Sequence, residues 1–227
     1  MAAAPYENLS LPSPVRGFLN TPAHANGCGL VLTHGAGANC HSPLLRAVED
    51  VFVERGYSVL RCDLAFRQQR RFGPPRNSGR QDRESLRSAV LALAEIAPGP
   101  VFLGGHSYGG RQASMLAAED PALCAGLLLL SYPLHPPQNP GELRTAHFPS
   151  LRTPTFCVHG SRDPFAAPGE LAAAVKLIPA PVAVFSIANA GHDLGFGRAA
   201  LRAAPAWPLD AAAAFQTFIV ASCACKP

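Results

Sequence analysis

Apolar residues in this chain fall into short runs of two kinds, and the two kinds alternate. One kind is continuous and ends in glycine or a polar turn: "GLVLTHG", "YSVLRCD", "PVFLGG", "GLLLLSY", "PTFCVHG" and "PVAVFSI". Runs of this length without interspersed polar residues read as strands buried on both faces. The other kind is longer and spaced for a helix. "SPLLRAVEDVFVERG" offers Ser42 as N-cap, Pro43 in the first turn and Gly56 as the stop, and "QDRESLRSAVLALAEIA" closes on Pro98 and Gly99. Three more helices are expected: after Ser107, over "PGELAAAVKLI", and over "AWPLDAAAAFQTFIVAS". A Gly/Pro/Arg-rich loop is expected over about 64–79 and a Pro-rich one over 133–154. Regular β/α alternation predicts an α/β fold, a mostly parallel central sheet with helices on both faces. No repeat or low-complexity linker divides the chain, so the expectation is one domain over 1–227.

The run "VFLGGHSYGGRQ" places Gly105-His106-Ser107-Tyr108-Gly109 where a strand gives way to a helix. A serine on such a tight strand-to-helix turn is presented at the carboxyl edge of the sheet, with glycine on either side because larger side chains would collide with neighbouring backbone. A serine hydroxyl becomes a strong nucleophile only when a histidine takes its proton and a carboxylate orients that histidine. Two later loops supply these types in the order Ser, Asp, His. "SRDPF" puts Asp163 just past one strand, and "ANAGHDLG" puts His192 past the next. Asp193, the residue following His192, is expected to point elsewhere. His159 reads as structural or pocket-lining and His106 as a packing residue. His135 and His147 read as loop histidines, at the surface or flanking a pocket. Stabilising an oxyanion needs backbone N–H groups. Tyr108, after the serine, can give one, and Ala36 in "LTHGAGAN" can give the other.

These stretches resemble the α/β-hydrolase superfamily from about residue 15 to 222. The carriers are "LTHGAG", "VFLGGHSYGG", "LSYPLHPP", "TPTFCVHGSRDPF" and "ANAGHDL". Within the superfamily the chain is similar to small capless serine hydrolases of the dienelactone-hydrolase-like and testis-expressed hydrolase-like types. The resemblance implies triad roles for Ser107, Asp163 and His192, and oxyanion roles for Ala36 and Tyr108. Dienelactone hydrolase carries a cysteine nucleophile, so the serine here departs from it. Only about 20 residues join "LLLLSY" to "PTFCVHG", room for a loop but not for a lid domain. Tyr132, Leu134, His135 and Phe165 are the expected pocket-lining residues.

Composition narrows the class. A 48% apolar, 15% charged chain of 227 residues is neither disordered nor membrane-spanning, since its apolar runs stay far short of about 20 residues. The N-terminus lacks a basic segment leading into an apolar one, so no secretory signal is expected. Seven scattered cysteines point to reduced thiols and a cytoplasmic setting, and Cys223 and Cys225 alone are too little for a metal site. The net charge is +4, with 17 arginines, eight of them between Arg61 and Arg87. A nucleic-acid surface would need more charge and interleaved aromatics. Most of these arginines read as a solvated loop running into a helix where Asp82 and Glu84 pair with neighbouring arginines. Arg67 is left as a candidate to bind a substrate carboxylate or phosphate.

The expected function is hydrolysis of small or medium carboxylic esters through an acyl-enzyme, with no metal or organic cofactor, a small-molecule ester as partner, and no nucleic acid. The alternatives are a thioesterase or peptidase with the same machinery, or a hydrolase-fold binding or scaffold protein without turnover.

Overall fold

The computed structural model describes residues 3–76, 79–197 and 205–224. Eight strands form one sheet: β1 (Ala4–Asn8), β2 (Val15–Asn20), β3 (Gly29–Thr33), β4 (Ser58–Cys62), β5 (Val101–His106), β6 (Leu127–Leu130), β7 (Thr155–Gly160) and β8 (Val182–Ile187). Their spatial order is β1-β2-β4-β3-β5-β6-β7-β8. β1 pairs antiparallel with β2 and β2 antiparallel with β4, while every pair from β4 to β8 is parallel. The first two strands were not expected from the sequence. "APYEN" and "VRGFLN" carry polar residues on one side, because the hairpin they form lies at the sheet's edge.

The continuous apolar runs become β3, β4, β6 and β7, whose residues are all buried. Successive side chains of a strand point to opposite faces, and here each face meets its own helices. Val31, Leu103, Leu127 and Leu129 pack with α3 (Arg80–Ala94), α4 (Tyr108–Glu119) and α5 (Pro168–Ala174). Leu30, Leu32, Leu128 and Leu130 pack with α1 (Pro43–Glu54) and α6 (Trp207–Ala224). Phe215 of α6 anchors this second layer, its ring 5.3 Å from Phe102, 5.5 Å from Phe52 and 5.8 Å from Phe156. Helix α1 starts at Pro43 as expected, but the Ser42 side chain makes no capping bond. Gly56 ends the helix with φ +88°, a conformation natural to glycine. β8 has no fully buried residue and stands at the edge of the sheet, with no described strand beyond it.

One of the two expected loops differs from expectation and the other agrees with it. A short helix, α2 (Ala65–Gln69), sits inside the arginine-rich segment. The 133–154 segment holds only a single 3-10 turn, Phe148–Ser150, and lies against the molecule with Tyr132, Leu134, Phe148 and Leu151 buried. It forms no lid domain.

The chain leaves β3 toward β4 on one side, then returns through α3 to β5 on the other side of β3. Such a reversal opens a crevice at the carboxyl ends of β3 and β5, the place where α/β sheets bind ligands. No described helix is long and apolar enough to cross a membrane.

Candidate active site

Ser107 lies in that crevice, between β5 and α4, with φ 51° and ψ −117°. A non-glycine residue in this region is strained, and the strain is held by the surroundings. The Ser107 N–H donates to the Leu130 carbonyl (2.9 Å), tying the turn to the end of β6. The flanking glycines are required by close approach. A Cβ on Gly105 would stand 2.6 Å from the Gly109 carbonyl carbon, and one on Gly109 would stand 2.5 Å from the His34 carbonyl oxygen.

The parallel strands bring the other loops to the same edge. The Ser107 hydroxyl and His192 Nε2 are 2.8 Å apart, and His192 Nδ1 is 2.8 Å from Asp163 Oδ2 and 3.0 Å from Oδ1. Asp163 is inaccessible at its side chain, and its Oδ1 accepts the Phe165 N–H (2.9 Å). The carboxylate is thereby fixed from its own loop before it meets the histidine. The Phe165 ring lies against the His192 ring, centroids 4.2 Å apart and the planes tilted by 34°. Asp193 turns away, accepting the Gly195 N–H at 3.0 Å. His159 is buried and its Nε2 donates to the Ala166 carbonyl (2.8 Å), a structural use.

His106 does more than pack. Its Nε2 donates to the main-chain carbonyl of His192 (2.9 Å), a bond across 86 positions that no local pattern announces. Burial lowers its pKa to about 4, so the ring is neutral near pH 7 and carries a single proton.

The loop after β3 is wired from both sides. The Gly35 carbonyl accepts from His34 Nδ1 (2.8 Å) and from the Ala38 N–H (3.1 Å). In a trans peptide the N–H opposes the carbonyl, so the Ala36 N–H points the other way. A Cβ on Gly35 would stand 3.4 Å from the Ser107 Cβ, which puts this peptide against the serine. Tyr108 opens α4, and the N–H groups of a helix's first turn have no intrahelical acceptor. Its phenol donates to Asp82 Oδ2 (2.7 Å), while Asp82 Oδ1 accepts the Phe66 N–H (2.9 Å). Burial and this carboxylate push the Tyr108 pKa up. Asp82 thus serves the serine turn and α2 instead of pairing with an arginine. Glu84 does approach Arg87 at 3.9 Å, and Arg83 pairs with Glu119 at 2.9 Å.

Several expected lining residues stand elsewhere. Tyr132 and Leu134 are each 1% exposed, inside the apolar layer, and the Tyr132 hydroxyl donates to the Arg144 carbonyl (2.6 Å). Both are core residues because the segment after β6 folds inward. His135 is likewise buried instead of at the surface. Its main-chain N–H donates to the Phe165 carbonyl (3.1 Å), and its ring nitrogens meet the Pro136 carbonyl (2.9 Å) and Glu170 (3.3 Å). The Pro136 bond leads in raising its pKa. It braces the Phe165 loop from behind. His147 bonds Ser114 Oγ (2.8 Å) on α4. Of the lining set, Phe165 alone touches His192 through its ring.

Arg67 is 7% exposed and its five N–H groups all go to carbonyls. Nε bonds Ala38 (2.9 Å), Nη1 bonds Arg70 (3.3 Å) and Arg71 (2.8 Å), and Nη2 bonds Ala36 (2.9 Å) and Gly73 (3.1 Å). No N–H remains for a substrate anion. Among the described residues no cluster of His, Cys, Asp and Glu could hold a metal, and Cys223 and Cys225 have no described side chains.

The fold has parallels among known proteins. Residues 27–219 match the family model described as "Alpha/beta hydrolase domain". Over 140 residues the chain is 31% identical to Esterase Rv0045c of Mycobacterium tuberculosis, covering 59% of this chain and 41% of that protein, so it spans less than half of that relative's length. A dienelactone hydrolase from Anabaena variabilis superposes with TM-score 0.70 at 21% identity, covering 96% of each chain. XC6422 from Xanthomonas campestris, described as a serine hydrolase without lid, gives TM-score 0.68 at 15% identity, with 91% of this chain and 97% of that one covered. The family match covers most of the described sheet and its edge loops, and on that ground the chain belongs to the alpha/beta hydrolase domain family.

Proposed function

We propose that the protein is a serine hydrolase of carboxylic esters. The observation that carries this reading is the continuous path Ser107 Oγ–His192–Asp163, both links at 2.8 Å, at the carboxyl edge of the sheet. Ser107 Oγ attacks the ester carbonyl while its proton passes to His192 Nε2. Asp163 keeps the imidazole oriented and stabilises its protonated form. The Ala36 and Tyr108 N–H groups receive the oxyanion. As the tetrahedral adduct collapses, His192 returns the proton to the departing alcohol. Water, deprotonated by the same histidine, then attacks the acyl-enzyme and frees the acid and Ser107. Every proton in this cycle is moved by the chain's own side chains. The similarity to a protein named as an esterase supports ester substrates. A cytoplasmic setting belongs to the same proposal, supported by five described cysteines that are all free thiols, with burial pushing Cys124 and Cys157 up to about 12.

The test is intact-mass analysis after exposure to a fluorophosphonate, for wild type, Ser107→Ala and His192→Ala, followed by a panel of 4-nitrophenyl esters. One adduct per chain, lost in both variants, with ester turnover lowered by about 10⁴-fold or more, is the expected result. A folded wild type that takes no adduct and turns over no ester ends the proposal.

A further inference from the structure

From the loop of Ala36, a groove of about 610 Å³ runs between residues of 36–43 on one wall and Arg71–Pro74 on the other, with Arg67 between them. Ala36, whose N–H the proposed reaction uses, is its first residue. The groove carries one sign of charge. Its lining includes Arg67, Arg71 and His41 and no aspartate or glutamate. The buried Arg67 charge meets carbonyl dipoles and the face of Phe66, 4.9 Å from the ring centroid, and no carboxylate among the described residues. Arg70 donates to the Pro74 carbonyl (2.9 Å), and Arg71 lies over the ring of Phe72, 5.4 Å from its centroid. Among the described residues none of these three arginines makes an ion pair. Asp63, just beyond β4, is already engaged by the Cys40 N–H (2.7 Å) and lies 3.3 Å from His34 Nε2. Arg67 has no N–H to spare, whereas the Arg71 head is exposed, beside a Phe72 ring that is 77% exposed.

We infer that this groove selects esters that carry an anionic oxygen group, a carboxylate, with Arg71 as the residue that meets it and Phe72 covering the apolar part of the same substituent. The inference rests on the proposed ester hydrolysis and names its substrate class. The division of labour follows from the bonds: Arg67 sets the walls and adds a positive charge that no described carboxylate offsets, and Arg71 supplies an exposed fork of donors.

The experiment compares matched acid and neutral esters. One pair puts the charge on the acyl side, 4-nitrophenyl hydrogen glutarate against its methyl ester. The other puts it on the leaving group, 4-acetoxybenzoate against methyl 4-acetoxybenzoate. In at least one pair kcat/KM for the acid should exceed that of its neutral partner by about tenfold. The ratio should fall toward one in Arg71→Gln and in about 0.5 M salt, and persist in Arg152→Gln, a control remote from the groove. Ratios near one in both pairs, or a preference that Arg71→Gln leaves intact, overturn the inference while sparing the esterase reading. A calorimetric arm uses Ser107→Ala with monomethyl and dimethyl glutarate. If no ester is turned over, the esterase reading fails and this arm decides the groove by itself. Monomethyl glutarate binding that is lost on adding Arg71→Gln upholds it, and equal or absent binding of the two compounds ends it.

Discussion

The ring of His106 gives its Nε2 proton to the main-chain carbonyl of His192, and the two imidazoles stand 5.1 Å apart. On its other side a methyl placed on Gly35 would lie 3.1 Å from His106 Nδ1. One side chain therefore spans the serine turn, the histidine loop and the loop of Ala36. Being neutral, it adds no positive charge against the imidazolium that the proposed reaction forms at His192. His106→Phe keeps the bulk and removes the donor. It should lower kcat for a 4-nitrophenyl ester by about tenfold or more with little change in KM, a misplacement of His192 rather than a loss of binding. His106→Gln, which keeps an N–H donor, should recover part of the loss. Steady-state kinetics of the two variants reads the difference.

Tyr108 contributes its backbone to the site and its phenol to Asp82. Tyr108→Phe keeps the N–H but leaves Asp82 Oδ2 without its donor, in a carboxylate that is 3% exposed. The expected outcome is a stability loss of about 1–3 kcal/mol in urea unfolding. Turnover should survive, because the proposed oxyanion contact is made by the main chain.

On the opposite face of the sheet, Arg61 Nε sits 2.7 Å from Glu49 Oε2, with both side chains almost inaccessible, and Arg61 also donates to the Cys40 carbonyl. Burial raises the Glu49 pKa and Arg61 opposes the rise. Removing one partner strands the other charge. Arg61→Met should cost about 3–5 kcal/mol by chemical denaturation, and Glu49→Gln in the Arg61→Met background should return part of it.

Two histidines make stability depend on pH. Burial lowers the pKa of His106 and of His147 to about 4, below the ordinary 6.5. Between those values the unfolded chain binds protons that the folded chain refuses, so the contribution of these two histidines falls as pH drops from about 6.5 to about 4 and levels off below. His147→Gln, which keeps a polar group near Ser114, should flatten the slope of unfolding free energy across that window. Urea midpoints at half-unit pH steps measure it.

What could be read along the chain was whatever sits directly after a strand. Ser107, Asp163 and Ala36 each follow a buried apolar run and His192 a partly exposed one, and parallel strands deliver all such positions to one edge. Chain order therefore carried their spatial arrangement. What could not be read were bonds spanning long separations. The His106–His192 contact, the Asp82–Tyr108 bond and the Arg67 contacts to Ala36 and Ala38 join loops whose relative height depends on how the helices pack. Tyr132 and Leu134 show the same gap in reverse. They follow a strand, yet Ser131, at φ 49°, turns the chain back into the apolar layer, and a serine does not advertise such a turn. The N-terminal hairpin was missed because an edge pair needs only one apolar side, and "PYENLSLPSP" looks like a tail.

Arg67 has one more consequence. Its planar fork reaches carbonyls on both banks of the groove, so the groove's width is set by the span of a guanidinium, as a calliper holds a gap. Neither bank can be lengthened, shortened or reshaped without moving the other. Under the substrate preference proposed for this groove, changes of preference would come from the side chains that stand on the banks, while the banks themselves move only as a pair.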